Sequence, residues 1–346
     1  MSLVNTRLQN LRVDAPQLSR YTLLQGRCGA LAAVLAGNNS PMSIISPQLR
    51  QQALSAVGQT VQVPVFDSES VSIGSTRSAT IADSENTSQL YTVSFTTYAW
   101  GFTIVPAQHM NNHISMQQDF NRKFSKYMIK FMDTLDAACV SALSTAKNQV
   151  FPDLLGLYTN VGNLINVPLA NRNEIFGDLN PIMKTNNHFG PYEVIGNAGV
   201  ESLLGKLAEH GIYNDQNRTI QYIDKDLRFT TNITNAANMD GTGYCVQQGA
   251  LGMVFRHERE AVLMSQTPDG HMWGQTNVPG TEIPLSSYFY YGVGDYSAIA
   301  GAATADMTRA VKEHYGFSID VATITPYNTD LTTYANPIVG FQLADS

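Results

Sequence analysis

The clearest hydrophobic pattern lies between residues 116 and 147, where apolar residues recur every three or four positions. This period is typical of an amphipathic α-helix. Asp119 falls in the expected first turn and Lys147 in the last, so both charges favour the helix dipole. The apolar stripe consists of Met116, Phe120, Phe124, Tyr127, Phe131, Leu135, Ala138, Ala142 and Ala146, and a second face carries Arg122, Lys126 and Lys130.

Residues 58–105 follow a different pattern, in which apolar and polar residues alternate over 61–65, 91–95 and 100–104. Alternation predicts β-strands, and the phase slips by one near Thr96-Thr97, as a β-bulge would cause. The residues between the strands are rich in Ser and Thr. We therefore predict a long two-stranded hairpin with a polar tip. Such a hairpin is marginally stable alone and exposes two edges, so we expect it to rest on another surface.

Shorter helices and strands are predicted elsewhere. Gly37 ends a helical pattern in the first segment, and a second short helix is expected to begin at Ser46-Pro47, with Ser46 as the N-cap. Asn197 and Thr304 are predicted to cap two further helices, the second of which would carry Met307, Val311 and His314 and end at Gly316. The first pattern comprises Leu18, Tyr21, Leu24, Cys28, Leu31 and Leu35, and strands are expected over 243–246, 251–255, 287–293 and 338–343. The class is α+β.

The composition shows how this chain differs from an ordinary soluble protein. Charged residues make up only 14% of its 346 residues, against about 25% in typical soluble domains. Because interface cores are depleted in Lys, Glu and Asp, low charge suggests a chain with much surface in subunit contacts. A low-charge secreted or β-rich protein is the equal alternative. The net charge of −7 argues against a basic nucleic-acid binder.

The charge is also segregated along the sequence. Residues 1–57 carry five arginines and one aspartate, whereas residues 58–105 carry one arginine and four acidic residues. Residues 149–346 carry ten basic and twenty acidic residues. Such asymmetry indicates that different segments face different neighbours.

Catalytic and cofactor motifs are sparse. The three cysteines lie far apart, no phosphate-binding loop or nucleophile elbow occurs, and no apolar run is long enough for a membrane span. The first residues do not read as a signal peptide. His109 and His113 could share a face as metal ligands, but no carboxylate or cysteine follows within a turn, so a polar elbow is favoured. We expect no catalytic residues, no cofactor and no metal.

The sequence Arg256-His-Glu-Arg-Glu260 is a dense charge cluster at the end of a predicted strand. It could supply an acid–base pair to an enzyme. An ion-paired junction or a subunit contact is the favoured interpretation.

The order of elements carries a resemblance. The stretch GQTVQVPVFDSESV through YTVSFTTYAWGFTIVP leads into DFNRKFSKYMIKFMDTLDAACVSALSTAKNQV, and NPIMKTNN, VIGNAGVESLLGKLAEHG, FTTNIT and GYCVQQGALGMVFRHEREAV follow. This order resembles the major capsid proteins of tailed double-stranded DNA bacteriophages, the Hong Kong 97 fold. The resemblance covers nearly the whole chain. Its individual motifs are weakly specific, and their order carries it.

The resemblance implies a role for each segment. Residues 1–57 would be the N-terminal arm, 58–105 the extended loop, and 106–150 the peripheral domain with its spine helix. Residues 151–325 would be mainly the axial domain, with some peripheral-domain strands, and 326–346 would return to the peripheral domain. The chain would assemble with itself into pentamers and hexamers of an icosahedral shell, the capsid of a virion, built in the bacterial cytoplasm.

The resemblance also implies partners. We expect double-stranded DNA on the inner face without sequence specificity, a portal, possible decoration proteins and no membrane. Because the arm is too short to hold a cleaved scaffolding segment, we expect a separate scaffolding protein, or none. The best-known member of the family links its subunits through a lysine of the extended loop. No lysine precedes Lys123 here. The shell would therefore be held non-covalently.

The expected inter-subunit contacts are charged. The arm arginines would either contact DNA phosphates or, as we slightly favour, pair with the acidic region of neighbouring subunits. The candidate contact residues are Arg7, Arg12, Arg20, Arg27, Asp67, Glu69, Arg77, Asp83, Glu85, Arg256, Glu258, Arg259 and Glu260.

Three alternatives remain at this stage. An encapsulin-type compartment has the same fold but packs protein cargo, and the longer chain and arm disfavour it. An α+β hydrolase could use the cluster from Arg256 to Glu260. A tail or baseplate subunit fits the long helix after a hairpin poorly.

Overall fold

Helices and strands both form in the chain, so the predicted α+β class is confirmed. The computed structural model describes residues 4, 6–8, 10, 26–41, 43–55, 58–66, 88–109, 113–149, 156–207, 212–214, 219–221, 225–257, 272–278, 281, 283–295, 309–326 and 335–345. The helices are α1 (Gly29–Gly37), α2 (Pro47–Ser55), α3 (Met116–Ala146), α4 (Ile175–Thr185) and α5 (Ala198–Leu207).

The strands contribute to three separate sheets. They are β1 (Thr60–Phe66), β2 (Ser88–Ser94), β3 (Thr96–Ile104), β4 (Thr159–Val161), β5 (Leu164–Val167), β6 (Tyr192–Gly196), β7 (Ile212–Asn214), β8 (Thr219–Gln221), β9 (Lys225–Phe229), β10 (Met239–Gln247), β11 (Gly252–Arg256), β12 (Met272–Asn277), β13 (Pro284–Asp295), β14 (Arg309–Ile324) and β15 (Ile338–Ala344).

The chain forms two compact units. Unit 1 contains Met1–Leu24, Phe95–Thr134 and Val254–Ala322, and unit 2 contains Gln25–Ser94, Leu135–Met253 and Thr323–Ser346. These boundaries differ from the predicted segments. Within the region predicted as mainly axial, residues 254–322 lie in unit 1 with the first part of α3, whereas residues 151–253 lie in unit 2 with the C-terminal strand β15.

The sheet of unit 1 is organised around the long strand β14. The strand order is β11-β14-β13-β12, and β3 pairs antiparallel with β14 from Thr96 opposite Val321 to Ile104 opposite Glu313. On its other side β14 pairs antiparallel with β13 from Ser286 opposite Ser318 to Asp295 opposite Arg309. Because β14 is paired along both edges, its backbone N–H and C=O groups are hydrogen-bonded within the sheet.

The apolar stripe of α3 covers this sheet with aromatic side chains. Phe124 packs edge-on against Phe317 at 5.2 Å between ring centroids, and Phe120 packs in the same way against Tyr315 at 5.1 Å. Phe131 lies 4.5 Å from the ring of Trp100. Offset and edge-on aromatic pairs each add stability beyond the area they bury. The prediction that the stripe belongs to a core is confirmed for Phe120, Phe124 and Phe131, whereas Tyr127 is 40% exposed.

Unit 2 is built on a mixed eight-stranded sheet with the order β4-β5-β15-β10-β6-β9-β8-β7. The strands β15 and β10 are antiparallel, whereas β15 with β5 and β6 with β9 are parallel. The helices α4 and α5 supply the apolar side chains that bury this sheet, and Phe176 packs edge-on against Phe341 at 6.0 Å. The predicted cap of α5 is confirmed, since the backbone N–H of Val200 donates to Asn197 Oδ1 at 3.4 Å.

The predicted helix ending at Gly316 is wrong. Residues from Arg309 onward form β14, while Thr304 and Met307 lie outside the described residues. Val311, Tyr315 and their neighbours also fit a period of two, and pairing with β13 and β3 selects the strand. Gly316 is no helix terminator: the ring of Tyr288 lies over it and leaves no room for a Cβ.

The predicted bulge near Thr96-Thr97 has a different form. Phe95 separates β2 from β3, and the two strands belong to different sheets. The phase slip in the sequence therefore marks the point where the chain leaves the hairpin and enters the sheet of unit 1.

Candidate assembly interface

The hairpin of β1 and β2 is an isolated two-stranded sheet within the described residues. Its strands pair antiparallel from Thr60 opposite Ser94 to Phe66 opposite Ser88, which confirms the predicted pairing. Val61 and Val93 face each other at the base and are buried. Leu90, farther out, is 65% exposed. The hairpin thus combines a packed base with an exposed apolar side chain farther out.

A buried ion pair lies where the chain leaves the hairpin. Arg256 Nε donates to Asp320 Oδ2 at 3.0 Å, and Thr97 Oγ1 donates to Asp320 Oδ1 at 2.6 Å. The Arg256 guanidinium stacks 3.9 Å from the ring centroid of Phe95. Arg256 is 5% and Asp320 4% exposed. The residues that follow β2 are therefore fixed from both sides, by a cation over Phe95 and a carboxylate bound to Thr97.

Arg256 belongs to the charge cluster that the sequence singled out. The structure places it in this ion pair, and it places His257 half-buried with its Nδ1 3.4 Å from Ser286 Oγ. Burial lowers the pKa of His257. Glu258, Arg259 and Glu260 lie outside the described residues. What is described of the cluster fits an ion-paired junction.

Arg7 anchors the N-terminal segment to unit 1. Its Nη2 donates to Glu313 Oε2 at 3.2 Å, and its guanidinium lies about 6 Å above the rings of Phe120 and Tyr315. The Tyr315 hydroxyl donates to the same Glu313 oxygen at 2.7 Å. Burial, with the hydrogen bond to Glu313, raises the pKa of Tyr315 well above its ordinary value. An arm arginine thus pairs with an acidic residue inside one chain.

A second buried carboxylate, Asp136, lies in unit 2. The backbone N–H of Leu31 donates to its Oδ1 at 2.9 Å, and Asn232 Nδ2 donates to its Oδ2 at 2.8 Å. The Thr230 hydroxyl also donates to Oδ2. Burial raises the pKa of Asp136 from its ordinary value, and the hydrogen bonds oppose that rise. No side chain at the start of α1 caps that helix. Asp136, on α3, instead accepts a hydrogen bond from a backbone N–H in the first turn of α1.

A third buried acid, Glu193, lies in the sheet of unit 2. Arg228 binds it with two hydrogen bonds, at 2.8 Å from Nε and 3.2 Å from Nη2. Burial raises the pKa of Glu193, and the charge of Arg228 lowers it. This bidentate pair joins the parallel strands β6 and β9.

His109 and Asp119 meet at the start of α3. His109 Nε2 lies 3.4 Å from Asp119 Oδ2, and Lys123 Nζ donates to the same oxygen at 2.8 Å. His109 Nδ1 lies 3.0 Å from the carbonyl of Ile114. Nothing in the structure brings His113 to this group, and the described residues contain no cluster of three metal-ligating side chains. The arrangement fits the predicted polar elbow.

The three cysteines are buried. Burial raises the pKa of the Cys139 thiol, so that it stays protonated. None of the helices in the described ranges is long and apolar enough to cross a membrane.

The structure describes three of the thirteen predicted contact residues: Arg7, Arg27 and Arg256. Arg7 and Arg256 form buried ion pairs within the chain, and Arg27 is exposed just before α1. Their contacts with neighbouring subunits stay predictions. Those outside the described residues are Arg12, Arg20, Asp67, Glu69, Arg77, Asp83, Glu85, Glu258, Arg259 and Glu260.

Sequence reasoning missed the acidic partners Asp320, Glu313 and Asp136. Asp320 and Glu313 have no local signal, because their partners are distant in sequence. Asp136 did carry one: it lies on the buried side of α3 between Met132 and Cys139, where a charge needs a partner.

Comparison with known proteins gives a fold but no family. No protein-family model and no curated protein matches the sequence. Among solved structures, a chain of the Cyanophage Pam1 capsid asymmetric unit is similar, with a TM-score of 0.50, 11% identity, and coverage of 85% of this chain and 87% of that chain.

Two further solved structures match over a similar extent. One is the capsid of Cyanophage P-SCSP1u, with a TM-score of 0.47, 10% identity, and coverage of 84% and 85% of the two chains. The other is the mature capsid of bacteriophage PhiM1, with a TM-score of 0.45, 8% identity, and coverage of 85% of this chain and 84% of that chain. The fold comparison rests on the Pam1 chain. The fold of this chain is similar to that of a phage capsid chain.

Proposed function

We propose that this chain is a structural major capsid protein that self-assembles into the icosahedral shell of a tailed double-stranded DNA bacteriophage. The observation that carries the proposal is the similarity of nearly the whole fold to a chain of the Pam1 capsid. The proposal includes the Hong Kong 97 fold, pentamers and hexamers, and a location in the virion.

The hairpin supports self-assembly. Among the described residues no third strand pairs with this sheet, and Leu90 is exposed. Such a hairpin is a liability in a monomer, and we propose that a neighbouring subunit covers it. Contacts of this kind close into a shell when each subunit offers the same surface to its neighbour. The low content of charged residues fits a chain that buries much of its surface in such contacts.

The segment roles are part of the proposal. Residues 1–57 would be the arm, 58–105 the extended loop, and α3 the spine helix. The assignments of 151–325 mainly to an axial domain and of 326–346 to a peripheral domain stay predictions, as do the scaffolding, portal, decoration and DNA partners.

Negative-stain electron microscopy of the expressed full-length chain tests the proposal. Closed shells of uniform size are expected. Dispersed monomers under conditions that keep the chain folded, as judged by circular dichroism, would contradict it.

A gel tests the expectation of a non-covalent shell. Boiled and reduced shells should run as a single band near 37.8 kDa. Because no lysine precedes Lys123, the extended loop has no amine for a side-chain crosslink. A ladder of multiples would contradict this expectation.

A further inference from the structure

Three cations form a row along the outer face of α3. Arg122, Lys126 and Lys130 follow one another at four-residue spacing, and all three are exposed. Residues four apart on a helix lie on one face, about 6 Å from each other. The basic row therefore spans about 12 Å along the helix axis.

The charge of the basic row is not compensated by an ion pair among the described residues. The neighbouring Lys123 forms an ion pair with Asp119, so the carboxylate of Asp119 is bound to Lys123 and not to the row. The described residues of α3 contain two other acids: Asp136 is buried, and Asp133 is half-buried. A local row of three positive charges thus lies on a chain whose net charge is −7.

The chemistry of the row favours a polyanion over a protein surface. Two of its three residues are lysines, which are depleted from the cores of protein interfaces but are ordinary phosphate contacts. Over about 12 Å a DNA duplex presents about seven phosphates, so that three cations in line can each meet one. The acidic segment of the extended loop carries four acids and one arginine spread over residues 67–85, which is a sparser partner.

We propose that the basic row of Arg122, Lys126 and Lys130 contacts the phosphate backbone of double-stranded nucleic acid without sequence specificity. The inference rests on the proposed function, since a shell protein has one face turned toward a packaged genome. The net negative charge of the chain repels DNA as a whole, whereas the basic row attracts the phosphates locally.

The test is the salt dependence of DNA binding by the unassembled full-length chain, separated from closed shells by sedimentation because a closed shell would keep added DNA from its inner face. Fluorescence anisotropy with a short duplex of random sequence gives the binding constant at several salt concentrations. In the triple variant R122Q/K126Q/K130Q, the slope of log K against log salt should shrink by about 0.9 for each lost contact, or about 2.7. At about 0.1 M salt this corresponds to a loss of affinity on the order of 10²-fold.

Two controls isolate the position of the charge. The variant R122K/K126R/K130R keeps all three charges and should keep the slope. Lys184→Gln removes one exposed lysine from a helix of unit 2, whereas Lys126→Gln removes one from the row. Only Lys126→Gln should reduce the slope, by about 0.9. Sedimentation should show the same species in every sample.

Several outcomes overturn the inference. An unchanged slope in the triple variant does so, as does a wild-type chain that binds no DNA. If the triple variant keeps its slope but no longer forms shells, the row contacts a neighbouring subunit instead. Microscopy of the wild-type chain tests the proposed function separately, because it does not depend on the DNA measurement.

Discussion

Asp320 in unit 1 and Asp136 in unit 2 are both buried carboxylates, but they are stabilised differently. Asp320 accepts hydrogen bonds from the Arg256 guanidinium and the Thr97 hydroxyl. Asp136 accepts only from neutral groups, including the backbone of Leu31. A buried charge is costly unless an opposite charge or several hydrogen bonds compensate it. Neutral donors leave Asp136 with a pKa raised by burial.

The two carboxylates nevertheless have a common role. Asp320 holds the residues that follow the hairpin, and Asp136 holds the first turn of α1 within the predicted arm. In both units, a buried acid ties a segment that we assign to assembly to its own folded body.

The largest expected effect on stability is at the buried ion pair of Arg256 and Asp320. Asp320→Ala leaves the Arg256 guanidinium buried without its carboxylate, and removing one partner of a buried ion pair costs about 3–5 kcal/mol. The free energy of unfolding of the full-length chain, measured by urea denaturation, should fall by this amount.

A double variant distinguishes the ion pair from simple packing. In Arg256→Met/Asp320→Leu no charge is left buried, so stability should recover in large part toward that of the wild type. If the double variant is as unstable as the sum of its single changes, the buried charge is not the cause and the interpretation of the pair is wrong.

The second prediction concerns the pH dependence of Asp136. Because its pKa is raised in the folded chain, folding favours the protonated form. Its contribution to stability is therefore present below the ordinary value of 3.8 and is lost as the pH rises through the folded pKa. In Asp136→Asn this dependence is absent.

The measurement is a comparison of urea midpoints at several pH values. The stability of the wild type minus that of Asp136→Asn should decrease as the pH rises above 3.8. The difference should be most favourable to the wild type at low pH, where Asp136 is protonated and no charge is buried at this site. The same comparison with Asp345→Asn, which replaces an exposed acid outside this site, serves as the control. If the stability of the wild type minus that of Asp136→Asn increased with pH, the pKa of Asp136 would not be raised in the folded chain.

A smaller effect is expected at α2, whose N-terminus is capped locally. The backbone N–H of Leu49 donates to Ser46 Oγ at 3.1 Å, whereas α1 depends on Asp136 from another helix. Ser46→Ala should cost about 1 kcal/mol, as is usual for the loss of an exposed cap, and Ser46→Asp should restore it. Thermal unfolding measures both. A cost as large as that of removing Asp136 would mean that the two caps do not differ.

Local patterns predicted local structure well. The helix α3, the cap of α2 at Ser46, the cap of α5 at Asn197 and the pairing of the hairpin all follow from periodicity and capping rules that act within a few residues. The strand β14 was mistaken for a helix because its partners, β13 and β3, are distant in sequence and fix its conformation.

The candidate interface was only partly predictable for the same reason. The sequence singled out Arg7 and Arg256 as charged contacts, but nothing near them indicates Glu313 or Asp320 as partners. Ion pairs between residues hundreds of positions apart depend on the fold. Asp136 was the exception, since a charge on the buried side of an amphipathic helix is visible in the sequence.

The smallest effect on stability is expected at an exposed side chain of the hairpin. Leu90 is 65% exposed on β2, whereas Val93, three residues along, is buried at the base of the hairpin. Leu90→Ala should change the free energy of unfolding by less than about 0.5 kcal/mol, as is usual for exposed positions, and Val93→Ala should reduce it by about 1–3 kcal/mol.

The same two variants separate folding from assembly. If Leu90 is covered by a neighbouring subunit, as the proposed function requires, then Leu90→Ala should reduce the yield of closed shells in negative-stain micrographs although the chain folds normally. Its side chain would lose apolar burial only in the shell, at about 25 cal/mol per Å², and the loss is repeated at every copy of the contact. Shells of normal yield and stability from Leu90→Ala would place the hairpin outside the subunit interface. In that case the exposure of Leu90 would not mark a subunit contact, and neither Leu90 nor the buried Val93 would act in assembly.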